Sequence, residues 1–261
     1  MTLANAAILG LVQGLTEFLP VSSSGHLVIA QHLLHFAEPN LAFDVVLHLG
    51  TLLAVFVYFR RDLLEILSAL FGKGDPKWRR VALLILLGTV PTGVIGVLFK
   101  DLFERLFASP SVVALMLAVT GLLLFTADRV TKAARPLAGI GVLDALLIGL
   151  IQGVSIIPGI SRSGSTIAMG LFRKIEADSA ARFSFLLSIP AILGAVVLEG
   201  KEILGHGLSG SGSAFFVGFV TAAVSGWLAI RILMAALKRK GLTVFALYCW
   251  GVAGITFFWL I

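Results

Sequence analysis

Apolar residues run along this chain in long blocks separated by short polar stretches. Six blocks, residues 43–59, 81–99, 111–127, 183–198, 214–236 and 243–260, are apolar on all sides. Each approaches the roughly 20 residues a helix needs to cross the bilayer core, and a helix apolar all round belongs in lipid or in a bundle interior. Two further stretches, 5–36 and 144–172, are apolar but broken in the middle by QGLTEFLPVSSSGH and QGVSIIPGISRSGS. The proline, glycines, serines and charges there free backbone groups that must be buried in protein or face a water-filled cavity. Each stretch therefore reads as a re-entrant hairpin, two half-helices entering and leaving on one side. The pattern predicts an all-α polytopic membrane protein, a single integral membrane domain over 1–261 with six transmembrane helices and two re-entrant helical hairpins.

Composition sharpens this picture. Of 261 residues, 58% are hydrophobic and 13% charged, against about 25% charged in an ordinary soluble domain, and mean hydropathy is +1.03. A water-soluble fold is excluded. A net charge of +6 would suit nucleic acid if the basic residues shared one face, but they sit in short loops, so no nucleic-acid partner is expected. Their distribution reports topology instead. Residues 1–42 hold no Lys or Arg. Alternating sides at each full span collects Arg60, Arg61, Lys73, Lys77, Arg79, Arg80, Arg129, Lys132, Arg135, Arg173, Lys174, Arg182, Lys238, Arg239 and Lys240 together, and leaves only Lys100, Arg105 and Lys201 opposite. The first set is cytoplasmic by the positive-inside rule, so both termini are expected outside the cytoplasm of a multi-pass plasma-membrane protein. Arg231 snorkels from a span end. The lone Cys249 permits no internal disulfide or thiolate cluster, and the absence of a basic leader suggests that the first apolar stretch is retained.

Sliding the sequence by 139 positions aligns residues 10–26 with 149–165. Gly10, Gln13, Gly14, Ser22, Ser24 and Gly25 meet Gly149, Gln152, Gly153, Ser161, Ser163 and Gly164. A hairpin followed by three spans occurs twice, and because three is odd the second half is inverted in the membrane. The inverted repeats cover approximately 1–130 and 140–261, and their pseudo-two-fold axis would bring the two hairpin tips together near the midplane. The symmetry breaks at one telling place, where Ser23 corresponds to Arg162.

The candidate chemistry lies at these tips. Arg162 at membrane depth costs about 2.5 to 3.5 kcal/mol on insertion scales and needs an anion, a carboxylate partner or a wet cavity. Its fork suits phosphate, and Ser161, Ser163 and Gly164 lead into a half-helix whose first amides point at the same anion. A charge pair with Glu17 is the plainer alternative. Glu17 lies one turn from Gln13 and suits proton transfer, or a divalent cation held by Glu17, Gln13 and phosphate oxygens. Ser22, Ser24 and Gly25 open another half-helix, where serines also serve as caps. Ser23 and His26, three residues apart, form the minimal nucleophile and base. His32, His35, His48 and His206 lack such company, and Asp44 suits the start of its helix.

QGLTEFLPVSSSGH and PGISRSG, in this order and separation, resemble the two signature segments of the bacitracin-resistance type of undecaprenyl-diphosphate phosphatases, and the resemblance spans essentially the whole chain. The first segment matches the family pattern of Glu or Gln, three residues, then Glu, with Gln13 in the first position. The resemblance implies a membrane enzyme that removes the terminal phosphate of a polyprenyl diphosphate carrier, recycling the lipid for cell-wall synthesis. It implies a divalent cation, magnesium or calcium, and Glu17, Ser23, His26 and Arg162 as active-site residues. The mechanism expected is attack by Ser23 with His26 as base and later acid and Glu17 orienting His26 or holding the ion, the alternatives being direct attack by His26 or water activated by it without a covalent intermediate; the lipid arrives from the outer leaflet. Its partners are then the lipid diphosphate and membrane lipids, with oligomeric state open, a homodimer among the options. Broken helices meeting at the midplane are equally a transporter plan; the Ser23, His26 and Glu17 group favours hydrolysis, since a carrier needs no nucleophile.

Overall fold

The computed structural model describes residues 1–34, 41–107, 109–129, 134–206, 212–238 and 241–260. Within them the chain is helical, with one isolated bridge between Arg135 and Ile175. The first interrupted stretch forms α1 (Leu3–Phe18) and α2 (Ser23–Leu33), and the second forms α8 (Val142–Val154) and α9 (Arg162–Phe172). Between them lie α3 (Leu41–Tyr58), α4 (Arg60–Leu70), α5 (Pro76–Leu98), α6 (Lys100–Phe107) and α7 (Pro110–Ala127), and after them α10 (Ala177–His206), α11 (Gly212–Leu237) and α12 (Thr243–Leu260). Lys132, Arg239 and Lys240 of the basic loops, His35, and the end of the first stretch at 35–36 lie outside the described residues.

Among the described residues four helices, at Pro76–Leu98, Pro110–Ala127, Ala177–Leu198 and Gly212–Leu237, are long and apolar enough to cross a membrane. A fifth results if α3 and α4, bent by 77° at Phe59, count as one span, while α1, α8 and α12 are shorter apolar helices. Local chemistry sets the ends. Asp75 accepts from the amide of Lys77 at 2.9 Å ahead of Pro76, which has no amide to satisfy. Ser109 does the same for Val112 ahead of Pro110.

The polar segment after residue 60, expected as a loop, contains α4. Leu63, Leu64, Ile66, Leu67 and Leu70 recur at helical spacing, a signal its charges obscure. Asp62 on its inner face takes both oxygens to Nη1 of Arg182, at 2.9 and 3.0 Å, tying α4 to α10. A comparable clamp closes the second hairpin, where buried Asp144 at the start of α8 meets Arg173 at the end of α9 (2.7 Å) and Arg135 (3.0 Å). Asp44, in the first turn of α3, accepts from the Gln31 amide at 3.1 Å and binds α2 to α3.

Helix packing places the tips. α1 lies along α11 and α8 along α5, α7 packs on α12, and α3 on α10. The crossings depend on glycine. A Cβ on Gly149 would collide with the carbonyl of Gly88, and one on Gly10 would lie 2.6 Å from the carbonyl of Gly218. Gly14 likewise sits against Ser225 and Gly153 against Ile95. Gly88 pairs with Gly218, and Ile95 with Ser225, at one common offset of 130 residues, so equivalent contacts occur in both halves. Backbones this close allow dense packing where apolar burial alone drives little association.

Candidate active site

Each tip is a short linker between half-helices, held by a neighbouring helix. At the first, the carbonyl of Pro20 accepts from the Cys249 thiol of α12 at 3.6 Å. At the second, Thr120 of α7 donates to the carbonyl of Gly159 (2.9 Å) and accepts from the amide of Ser161 (3.0 Å). Pro20 and Gly159 are 139 residues apart, so the two anchors fall at equivalent points. Ser22 caps α2 through the amide of Gly25 (3.3 Å), and Ser161 caps α9 through the amide of Gly164 (3.1 Å). Ser24 then lies 3.2 Å from the Ser22 hydroxyl, and Ser163 3.3 Å from that of Ser161. These serines and glycines therefore build two helix N-termini, whose first amides lack partners within their own helices. The tips differ in backbone, since Ser22 adopts φ 70°, a region L residues rarely occupy and one often found at functional sites.

Two bonds join tip to tip. Arg162 reaches from the first turn of α9 to Glu17 of α1, Nη2 to Oε1 at 2.5 Å, and the Ser163 hydroxyl donates to the carbonyl of Leu19 at 3.2 Å. The other carboxylate oxygen of Glu17 accepts from the Ser23 hydroxyl at 2.5 Å and from the Gln13 amide at 3.1 Å. Gln13, Glu17, Ser23 and Arg162 thus form one network across α1, α2 and α9. The charge pair weighed against anion binding is present, yet it does not exhaust the guanidinium, because the buried Nη1 has no partner. The Gln13 Oε1 atom is also buried without a partner.

His26 differs from expectation. Its Nδ1 donates to the carbonyl of Ser22 at 2.7 Å, and its Nε2 lies 2.9 Å from the hydroxyl of Tyr248. The expected pair of Ser23 with His26 is not what the fold brings together: an imidazole at this position folds back onto the carbonyl four residues earlier, while Ser23, first in α2, meets the carboxylate across the tip. The group beside the candidate nucleophile is Glu17.

Tyr248 and Thr120 were not singled out from sequence. Their signal is a hydroxyl inside an apolar run, and Tyr248 is one of only two tyrosines in the chain. His48, unassigned above, bonds the carbonyl of Asp44 at 2.8 Å and lies within electrostatic reach of Glu17. The second hairpin has no counterpart to this centre. Gln152, equivalent to Gln13, donates to Thr92 at 3.1 Å, and Ile156 stands where Glu17 would be.

Fold and centre together define a multi-pass membrane protein built only of helices in its described parts, with a buried carboxylate and a partly buried hydroxyl and guanidinium gathered at two helix N-termini. The chain belongs to the family described as bacitracin resistance protein BacA, whose model matches residues 6–255. It is 45% identical over 260 residues to a protein of Syntrophotalea carbinolica named undecaprenyl-diphosphatase, with 98% of each chain covered. A protein of the same name from Alkaliphilus metalliredigens is also 45% identical, with 98% of each chain covered. Undecaprenyl-diphosphatase 4 of Bacillus thuringiensis is 42% identical, over 97% of this chain and 95% of its own length.

Proposed function

We propose that the protein removes the terminal phosphate of undecaprenyl diphosphate, returning the lipid carrier as its monophosphate. The observation that carries this reading is the Ser23 hydroxyl 2.5 Å from one oxygen of Glu17, whose other oxygen is held by Arg162. A carrier has no use for a hydroxyl seated on a carboxylate; a phosphoryl-transfer enzyme does.

The terminal phosphoryl group binds between the tips, its charge met by Arg162 and by the first amides of α2 and α9. Arg162 has Nη1 available, and an arriving anion competes with Glu17 for the rest of the fork, which frees the carboxylate. Ser23 Oγ then attacks phosphorus while Glu17 takes its proton. The bond to the bridging oxygen breaks, and the lipid monophosphate leaves with the electron pair. Water then attacks phosphorus, its proton passing to His26; the P–Oγ bond breaks, Ser23 Oγ takes back the proton held by Glu17, inorganic phosphate leaves, and His26 returns its proton to solvent. This assigns Glu17 the role of base in the first step, in place of His26.

A divalent cation, magnesium or calcium, fits the donor set as a companion of the substrate. Gln13 Oε1 is a buried oxygen without a partner, Glu17 is adjacent, and hard cations favour such oxygens. Among the described residues no cluster of three or more His, Cys, Asp or Glu could hold a metal alone, so phosphate oxygens would complete its shell. When bound, the ion would neutralise charge on those oxygens.

The fold is read here as six transmembrane helices and two re-entrant hairpins in inverted halves. The equivalent crossings of α1 on α11 and α8 on α5, and the matched anchors of the two tips, support it. With both termini outside the cytoplasm, the first hairpin opens to the outer leaflet, from which the lipid arrives with its tail among apolar helices. The test is phosphate release from undecaprenyl diphosphate by purified protein, with and without chelator. Release that stops on chelation and returns with magnesium or calcium is expected. Headgroup binding without release, metal supplied, would leave a carrier instead.

A further inference from the structure

The imidazole of His26 is held from two sides. On its own helix, Nδ1 bonds the carbonyl of Ser22 at 2.7 Å. A carbonyl only accepts, so Nδ1 carries the proton, and in the neutral ring Nε2 is an acceptor. From α12 comes Tyr248, whose hydroxyl lies 2.9 Å from Nε2 and donates to it. The two rings are nearly parallel, 9° between planes and 5.6 Å between centroids. Tyr248 itself is 47% exposed, on a helix whose neighbours Val244, Leu247 and Ile255 are also exposed. It packs little of the core, and its one described polar contact is the histidine. The hydroxyl reaches the imidazole, and the ring plane follows that of a histidine 222 residues earlier in the chain.

We infer that Tyr248 is a positioning residue for His26: its hydroxyl and ring fix the imidazole as the Nδ1–H tautomer, with Nε2 turned outward as the acceptor for a donor arriving at the tip. The inference rests on the proposed function, in which His26 takes the proton of the hydrolytic water. Nε2 has one lone pair, so the hydroxyl holds the ring in this orientation between turnovers and yields Nε2 to the O–H of that water; what carries into the step is the preset tautomer and ring plane, which Tyr248→Phe leaves without their tether. The two contacts separate by mutation. Tyr248→Phe keeps the ring and removes the donor, whereas Tyr248→Leu removes both.

The experiment is a double-mutant cycle of Tyr248→Phe with His26→Ala, measuring kcat and KM for phosphate release from a polyprenyl diphosphate in detergent. Tyr248→Phe should lower kcat by roughly tenfold, less than loss of a proton-transfer group itself, and leave KM within about twofold, since the anion-binding groups are untouched. Tyr248→Leu should lower it further. In the His26→Ala background, Tyr248→Phe should change nothing, because the hydroxyl acts only through the imidazole. An unchanged kcat in Tyr248→Phe, or an equal loss in both backgrounds, overturns the inference and leaves the proposed function intact. Wild-type protein that releases no phosphate defeats the proposed function itself, and is a distinguishable result.

Discussion

Arg162 and Glu17 bind each other across the two tips, and in the proposed mechanism an arriving anion takes over part of the guanidinium. Lysine offers a point charge without the fork that holds a carboxylate and a phosphate together. Arg162→Lys should therefore lose most turnover and Arg162→Ala nearly all. The alanine variant also leaves Glu17 buried without its cation, a loss of about 3–5 kcal/mol for such pairs, so its thermal midpoint in detergent should fall. Glu17→Gln keeps the shape and removes the acceptor for the Ser23 proton; turnover should drop by about 10²–10⁴-fold while the lipid diphosphate still binds, measured by equilibrium binding. Retained turnover in this variant would return the base to His26. Glu17, Ser23 and Arg162 were legible in sequence because charges and hydroxyls inside apolar stretches require a reason. The partner of Ser23 was not, since residues three apart on one helix are easily paired on paper, whereas the contact made is across a tip whose geometry depends on Ser22 at φ 70°.

At the scale of elements, the glycines shared by the two hairpins are the crossing points of α1 on α11 and α8 on α5. An alanine at Gly149 would meet the backbone of Gly88, which cannot move aside without displacing α5. Gly149→Ala should cost about 1–3 kcal/mol as overpacking. Gly194→Ala, in a helix interior with nothing within 4 Å of the added methyl, should be neutral or gain up to about 1 kcal/mol from helix propensity. Thermal unfolding of both variants in one detergent checks the contrast. The 139-residue offset that exposed these glycines came from polar and small residues, which are sparse enough in an apolar chain for identities to carry information. The helices α4 and α6 were missed for the converse reason. Short and charged, they resemble loops until Leu63, Ile66 and Leu70 are counted at helical spacing, and Asp62 is seen to need Arg182 from a helix 120 residues away.

For the whole molecule, the proposed orientation puts the segment 70–78 in the cytoplasm and both termini on the other side, on the asymmetry of basic residues. Cysteines introduced within residues 70–78 in a Cys249→Ser background should react with a membrane-impermeant reagent only after the cells are opened; labelling in intact cells would overturn the span assignment. Orientation decides which leaflet supplies the lipid, and the centre decides what happens to it. The most direct test of that chemistry is release of terminal phosphate, labelled in undecaprenyl diphosphate, by wild-type protein and by Ser23→Ala side by side, with a rapid acid quench. The account predicts release and an acid-stable protein-bound label in the wild type, and in Ser23→Ala neither, with lipid binding retained. Undiminished release by Ser23→Ala would contradict it.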